Sequence, residues 1–95
     1  MKQHHYKITV EHIADSKGQP STYAAPMIFD AYNHDDLFKV LEKIQEKNLF
    51  AEDKTKAFVV GLKLFGETLL ENKANPLFKD FLPEFIEFMK KLKSA

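Results

Sequence analysis

The sequence predicts an α+β fold in which an N-terminal antiparallel β-hairpin is followed by three helices, in the order β-β-α-α-α. Three observations support this prediction: the alternation of residues 3–14, a helix start signal at residues 33–36, and a stripe of phenylalanines near the C-terminus. The 95 residues are 44% hydrophobic and 29% charged, which is typical of one small folded domain. We therefore predict a single domain over residues 1–95.

The first two elements read as strands. Residues 3–14 alternate between apolar and polar side chains, the period of a half-buried strand, and residues 15–20 carry turn-forming types. Pro26 lies in the next extended segment and has no N–H for a ladder, so this segment is predicted as an edge strand or one with a bulge. The apolar residues of the two segments are Tyr6, Ile8, Val10, Tyr23, Ala25, Met27 and Phe29.

The first helix is predicted to begin at residues 33–36 and to reach about Lys47. Asn33 is a typical N-cap and Asp36 then occupies the third helical position. Asn48 is a typical residue after a helix end. The apolar face is formed by Leu37, Val40, Leu41 and Ile44.

The second helix is predicted from a cap at Asp53 to about Asn72. Its apolar residues at helical spacing are Phe58, Leu62, Phe65 and Leu69. A strand over residues 57–66 stays open as an alternative, because this stretch also alternates and contains Gly61 and Gly66, which disfavour a helix. If the helix forms, alanine at either glycine is expected to stabilise it where the position is exposed.

The last helix is predicted to open at Asn75 and Pro76, a cap followed by proline at the first helical position. Apolar residues then recur at spacings of three and four, and this spacing continues across Pro83. We predict one helix kinked at Pro83, with two nearly collinear helices as the alternative. The residues of this phenylalanine stripe are Phe78, Phe81, Phe85, Phe88 and Leu92.

Two strings carry a resemblance to a known family. They are HHYKITVEH at residues 4–12 and GLKLFGE at residues 61–67, with LEN at residues 70–72 after it. With these strings the chain resembles, over nearly its whole length, the small bacterial family DUF3861, a domain of unknown function. The resemblance implies a compact α+β fold and no assigned activity, and it brings no catalytic or binding residues with it.

The charge balance argues against several partners. Fourteen Lys balance 14 Asp and Glu, and the chain has no Arg, so no net field attracts it to nucleic acid or to a membrane surface. No apolar run approaches the ~20 residues of a membrane span. Because the N-terminal stretch lacks the apolar core of a signal peptide, we expect a cytoplasmic location.

The sequence contains no recognisable catalytic, cofactor-binding or metal-binding set. There is no Cys, and His4 and His12 are eight residues apart on one strand, which is ~27 Å and too far for one metal ion. We therefore predict no cofactor and no metal site. A non-enzymatic role is favoured, although enzyme activity stays open.

The predicted function is a small binding or protein-interaction module, most simply a homodimer. The last helix carries apolar residues on more than one face, and the short hairpin has edges that need protection. The first strand is one route to a dimer, by pairing across a two-fold axis, and the phenylalanine stripe is the other. The stripe is slightly favoured, because it is long, whereas Lys7 and Glu11 put charge on the strand edge.

The alternative prediction is a small-molecule-binding or catalytic domain. It would need a pocket between the hairpin and the helices with convergent polar groups. The residues predicted to line this pocket are Tyr6, His12, Tyr23 and Phe65.

Overall fold

The computed structural model describes residues 2–95, and over these residues it contains two strands followed by four helices. The elements are β1 (His4–Val10), β2 (Met27–Asn33), α1 (Leu37–Glu46), α2 (Glu52–Glu71), α3 (Pro76–Lys79) and α4 (Leu82–Ser94). The predicted α+β fold with a leading hairpin is confirmed. The chain divides into a hairpin unit, residues 1–34, and a helical unit, residues 35–95. This division does not test the single-domain prediction, which stays a prediction.

The hairpin is shorter than the alternating pattern predicted. β1 and β2 are antiparallel, with His4 opposite Asn33 and Val10 opposite Met27. The next pair in this register would be Glu11 and Pro26, and Pro26 has no N–H to donate to the ladder. The continuous ladder of the strand predicted over residues 3–14 therefore ends at residue 10.

The segment between the strands contains the predicted turn. Ala14 forms an isolated bridge with Pro20, so that residues 11–13 lie opposite the longer stretch 21–26. The regular ladder is interrupted over this stretch, and Tyr23 and Ala25 lie outside β2. The carboxylate of Asp15 accepts hydrogen bonds from the N–H groups of Lys17 and Gln19, each at 2.9 Å, and so stabilises the turn.

The N-cap of helix α1 lies three residues later than predicted. Asp36, not Asn33, is the N-cap: its carboxylate accepts hydrogen bonds from the N–H groups of Phe38 at 3.0 Å and Lys39 at 3.4 Å. Asn33 is instead the last residue of β2 and only 1% exposed. The predicted end is confirmed, since Asn48 has a positive φ of 52°, the left-handed conformation common just after a helix.

The helix α2 is continuous over residues 52–71, so the helical prediction is confirmed and the strand alternative for residues 57–66 is wrong. Asp53 lies in the first turn and Ala51 is the N-cap, which corrects the predicted cap. Of the predicted apolar face, Leu69 is fully buried and Phe58 and Leu62 pack against the core. Phe65 departs from the prediction, because it is 43% exposed. The buried residues of α2 are Thr55, Val59, Gly66 and Leu69.

The last predicted helix is two helices, α3 and α4, rather than one helix kinked at Pro83. Asn75 caps α3 as predicted, with its side chain accepting the N–H of Leu77 at 2.9 Å. Pro83 lies in the first turn of α4, where its missing N–H removes no helical hydrogen bond. Asp80 and Phe81 keep right-handed helical backbone angles, which explains why the phenylalanine spacing continues although the helix does not.

The core of the helical unit brings together α1, α2 and α4. Its buried members are Ile44, Val59 and Leu92. The half-buried side chains that pack against them are Val40, Leu41, Phe58, Leu62 and Met89. The predicted apolar face of α1 therefore faces the core.

Two lysines tie distant parts of the helical unit together. Lys63 on α2 donates a hydrogen bond to the carboxylate of Asp35, ahead of α1, and both side chains are partly buried. Lys47 donates to the backbone carbonyls of Lys93 at 3.1 Å and Ala95 at 2.9 Å. Its charge thus neutralises the negative end of the α4 dipole.

The two glycines of α2 are expected to respond oppositely to alanine. A Cβ at the exposed Gly61 would meet nothing within 4 Å, so Gly61→Ala should raise the free energy of unfolding by up to ~1 kcal/mol. A Cβ at Gly66 would lie 3.1 Å from Cζ of Phe85. Because Gly66 is buried, the stabilisation predicted for exposed glycines does not extend to it.

We expect Gly66→Ala to lower the free energy of unfolding by up to about 2 kcal/mol, since crowding a packed core exceeds the helix-propensity gain. Urea denaturation followed by circular dichroism measures both variants against the wild type. Equal stabilisation by the two substitutions would show that Phe85 moves freely away from the added methyl group.

Candidate interaction surface

The phenylalanine stripe is divided between the core and the surface of the helical unit. Phe85 and Leu92 are 7% and 9% exposed, so these two are core residues. Phe78 is half-buried, whereas Phe81 and Phe88 are each 43% exposed. Of the five predicted interface residues, only Phe78, Phe81 and Phe88 therefore have surface that a partner could contact.

Aromatic contacts hold most of the stripe against α2. The ring of Phe65 lies 6.1 Å, between centroids, from each of the rings of Phe78, Phe81 and Phe85. Phe58 contacts Phe88 at 6.4 Å. These edge-on and tilted contacts are typical of packed aromatic cores, so even the half-exposed rings have partners within the helical unit.

Other apolar side chains of α3 and α4 are open to solvent. Leu77 is 76% exposed and Ile86 is 45% exposed. They do not belong to the predicted stripe. Isolated exposed apolar residues are ordinary on protein surfaces, so these two alone define no site.

The hairpin has two open edges. Over residues 2–95 its sheet consists of β1 and β2 alone, so each strand has a strand neighbour on one side only. Unpaired strand edges are templates for pairing with another chain. β1 and β2 are therefore both candidates for strand pairing with another chain.

Apolar side chains are exposed at the turn-proximal end of the hairpin. Val10 and Met27, which lie opposite each other, are 51% and 63% exposed, and Ile13 in the connecting segment is 70% exposed. Tyr6 and Ile8, farther from the turn, are half-buried. Apolar surface is thus exposed at this end of the hairpin.

The opposite face of the hairpin carries a polar cluster that sequence reasoning missed. Nε2 of His5 lies 2.9 Å from the carboxylate of Asp30, and the His5 ring stacks on Tyr32 with centroids 4.5 Å apart. Lys7 lies directly opposite Asp30 in the ladder. The register was the missing information, since these residues are far apart in sequence and only strand pairing brings them together.

The four residues predicted to line a pocket are found in both units. In the hairpin unit, His12 hydrogen-bonds through Nδ1 to the Ser21 hydroxyl at 2.6 Å and contacts the ring of Tyr23 edge-on at 5.1 Å. Tyr6 is half-buried on β1, and Phe65 belongs to the aromatic cluster of the helical unit. The structure thus brings His12 and Tyr23 together, and the predicted pocket stays a prediction.

Neither a metal centre nor a membrane span is found in the part of the chain that the structure describes. Among residues 2–95 no three His, Cys, Asp or Glu side chains are grouped so that they would hold a metal ion. None of the described helices has the length and apolar content that crossing a membrane requires.

The fold and its surfaces define a class: a small α+β protein with a two-stranded hairpin ahead of its helices and open strand edges. The chain belongs to the DUF3861 family, described as a domain of unknown function with a solved structure, whose model matches residues 4–94. The resemblance inferred from the hairpin and α2 strings is thereby confirmed.

A solved structure shares this fold. The chain is similar to a crystal structure of a protein of unknown function from Pectobacterium atrosepticum SCRI1043, with 40% sequence identity and a TM-score of 0.85. The alignment covers 99% of this chain and 100% of that chain. No curated protein matches the chain.

Proposed function

We propose that this protein is a small protein-interaction module that self-associates through its hairpin. The observation that carries the proposal is the two-stranded sheet, whose strands each have one open edge over the described residues, together with the exposed apolar side chains of Val10, Ile13 and Met27. The proposal keeps the cytoplasmic location predicted from the sequence, which fractionation of the native cells would test.

The physical reason is the marginal stability of an isolated hairpin. Two strands alone are barely stable in water, and further strands with an apolar face, or packing against a helix, stabilise them. Joining two hairpins edge to edge produces a four-stranded sheet and pairs the backbone groups of one edge of each hairpin. It also gives the exposed side chains along that edge, such as Val10, cross-strand neighbours.

The burial of the phenylalanine stripe favours the hairpin over the helical route. Phe85 and Leu92 already contribute to the core of the helical unit, and Phe88 already contacts Phe58. The long stripe was the reason for preferring the helices, and much of its surface is used within one chain. The charges of Lys7 and Glu11 disfavour pairing of this edge with arbitrary strands, but they allow pairing with a strand of complementary charge.

We expect the wild-type protein to sediment as a dimer at tens of micromolar, in the ordinary range of weak protein complexes. Sedimentation velocity over a dilution series measures this state and its dissociation constant. A biological contact should bury at least ~1,000 Å² in total. A wild-type protein that remains a monomer throughout the series would refute self-association.

Two variants of α4 separate the hairpin route from the helical route. Phe88→Asp introduces a charge on the stripe, and Ile86→Asp introduces one on an exposed position that has none of the ring contacts of Phe88. The hairpin route predicts that each folded variant remains a dimer. A folded monomer for either variant would move the interface to the helices, and Ile86→Asp keeps the test informative if Phe88→Asp unfolds.

A further inference from the structure

We infer that β1 pairs with β1 of a second copy across a two-fold axis, in the antiparallel register that places Thr9 opposite Thr9. This inference rests on the proposed self-association and names the strand and the register that carry it. In this register Lys7 of each copy lies opposite Glu11 of the other. In this register residues 8–10 of the two β1 strands lie opposite each other, and the contact continues past the end of β1 to Glu11. The product is a four-stranded antiparallel sheet with the two β1 strands at its centre.

Charged residues on and just after β1 are complementary to themselves in this register: Lys7 lies on β1, and Glu11 is the first residue after Val10, where β1 ends. Lys7 and Glu11 are both exposed, and they are equally distant from Thr9 on its two sides. A two-fold axis at Thr9 repeats the Lys–Glu pair, so two opposite-charge cross-strand pairs form, and such pairs stabilise a sheet. An axis at Lys7 would instead place two ammonium groups opposite each other, which is unfavourable.

The apolar face of β1 supports the same register. Strand side chains alternate between faces, so Ile8 and Val10 lie on the face opposite Lys7 and Thr9. With Thr9 on the axis, Ile8 of each copy lies opposite Val10 of the other. Val10, 51% exposed in the single chain, then gains a β-branched cross-strand neighbour of the kind that packs well in sheets.

The other strand lacks such complementarity. The only charged residue in β2 is Asp30, which already contacts His5 and lies opposite Lys7. Pairing β2 with itself about Asp30 would place two carboxylates opposite each other. Pro26, immediately before β2, also interrupts hydrogen bonding along that edge. The edge of β1 is therefore the one suited to a second copy.

A cysteine cross-link tests the register directly, because the chain has no Cys of its own. Directly opposite residues in an antiparallel pair have Cβ atoms ~4.5–5.5 Å apart, which a small shift brings within disulfide range. We expect Thr9→Cys to form a disulfide-linked dimer under mild oxidation. The matched control is Ile28→Cys, since Ile28 lies opposite Thr9 on β2 and is 52% exposed; it should stay uncross-linked.

The outcomes separate the inference from the proposed function. If the Thr9→Cys variant cross-links and the Ile28→Cys variant does not, the result supports both the inferred register and self-association. A wild-type dimer in which Thr9→Cys does not cross-link, or in which both cysteines cross-link equally, overturns the inferred register and leaves self-association standing. A monomeric wild type overturns both.

Charge reversal provides a second test by sedimentation. In the Glu11→Lys variant, the new lysine of each copy lies opposite Lys7 of the other copy. The dissociation constant of the dimer should therefore rise about tenfold at low salt. Added salt screens exposed charges, so it should strengthen the Glu11→Lys dimer and weaken the wild-type one. The control, Glu46→Lys on α1, changes the net charge equally and should leave the dissociation constant within about twofold of the wild-type value. Equal effects of the two reversals would contradict the Lys–Glu pairing.

Discussion

Phe85→Ala is expected to lower the free energy of unfolding by about 3–5 kcal/mol. The Phe85 side chain is 7% exposed, and its ring lies 6.1 Å from that of Phe65 and 6.2 Å from that of Phe81. Truncation removes these contacts and leaves a cavity that a close-packed core fills only in part. Because small domains are stable by roughly 5–15 kcal/mol, urea denaturation followed by circular dichroism should show a large shift.

Phe81→Ala is the matched control for this prediction. Phe81 has the same side chain and also contacts Phe65, but it is 43% exposed, so its truncation should be clearly less destabilising. A second check uses Gly66: once the Phe85 ring is absent, Gly66→Ala should become stabilising by up to ~1 kcal/mol. Equal losses for the two phenylalanines would show that Phe85 is not a core residue.

Leu69→Ala is expected to lower the free energy of unfolding by about 2–5 kcal/mol. Leu69 on α2 is 0% exposed, so its truncation removes a fully buried isobutyl group. Loss of transfer free energy and the cavity left behind act in the same direction. Chemical denaturation of the purified variant measures the change.

Leu70→Ala provides the control, because it is the same substitution one residue further along the same helix. Leu70 is 38% exposed, so less apolar surface returns to water and little or no cavity forms. The difference in the free energy of unfolding between the two variants therefore measures the effect of burial alone, because the substitution and the helix propensities are the same. Similar losses at both positions would contradict the burial of Leu69.

Helix ends were predictable where the signal is local. The Asn75 cap with Pro76 after it, and the left-handed Asn48 after α1, both follow from interactions within a single turn. The start of α1 was less predictable, since Asn33 and Asp36 are both good caps by type. Asn33 is the last residue of β2, paired with His4, and this pairing leaves Asp36 to cap the helix.

The residues of the phenylalanine stripe were predictable from the sequence, but which of them are buried and which are exposed was not. The stripe from Phe78 to Leu92 has the spacing of a helical face, which is the same for a core and for an interface. Only packing against α2 separates the buried Phe85 and Leu92 from the half-exposed Phe81 and Phe88. The open hairpin edge, in contrast, follows from having two strands, which the sequence already predicted.

The sequence by itself determined the hairpin ahead of the helices and the turn at residues 15–20, because these depend on local periodicity and turn chemistry. It left helix and strand open for residues 57–66, which the structure shows as part of α2. The tertiary structure decided the register of the two strands and which side chains of α2 are fully buried. The paired part of the hairpin ends at Val10 and Met27, just before Pro26. On α2 the small Gly66 leaves room for the ring of Phe85, so the buried line passes through Val59 and Gly66 and leaves Phe65 at its margin. Such choices depend on the free energy of contacts between residues distant in sequence, which no local pattern contains.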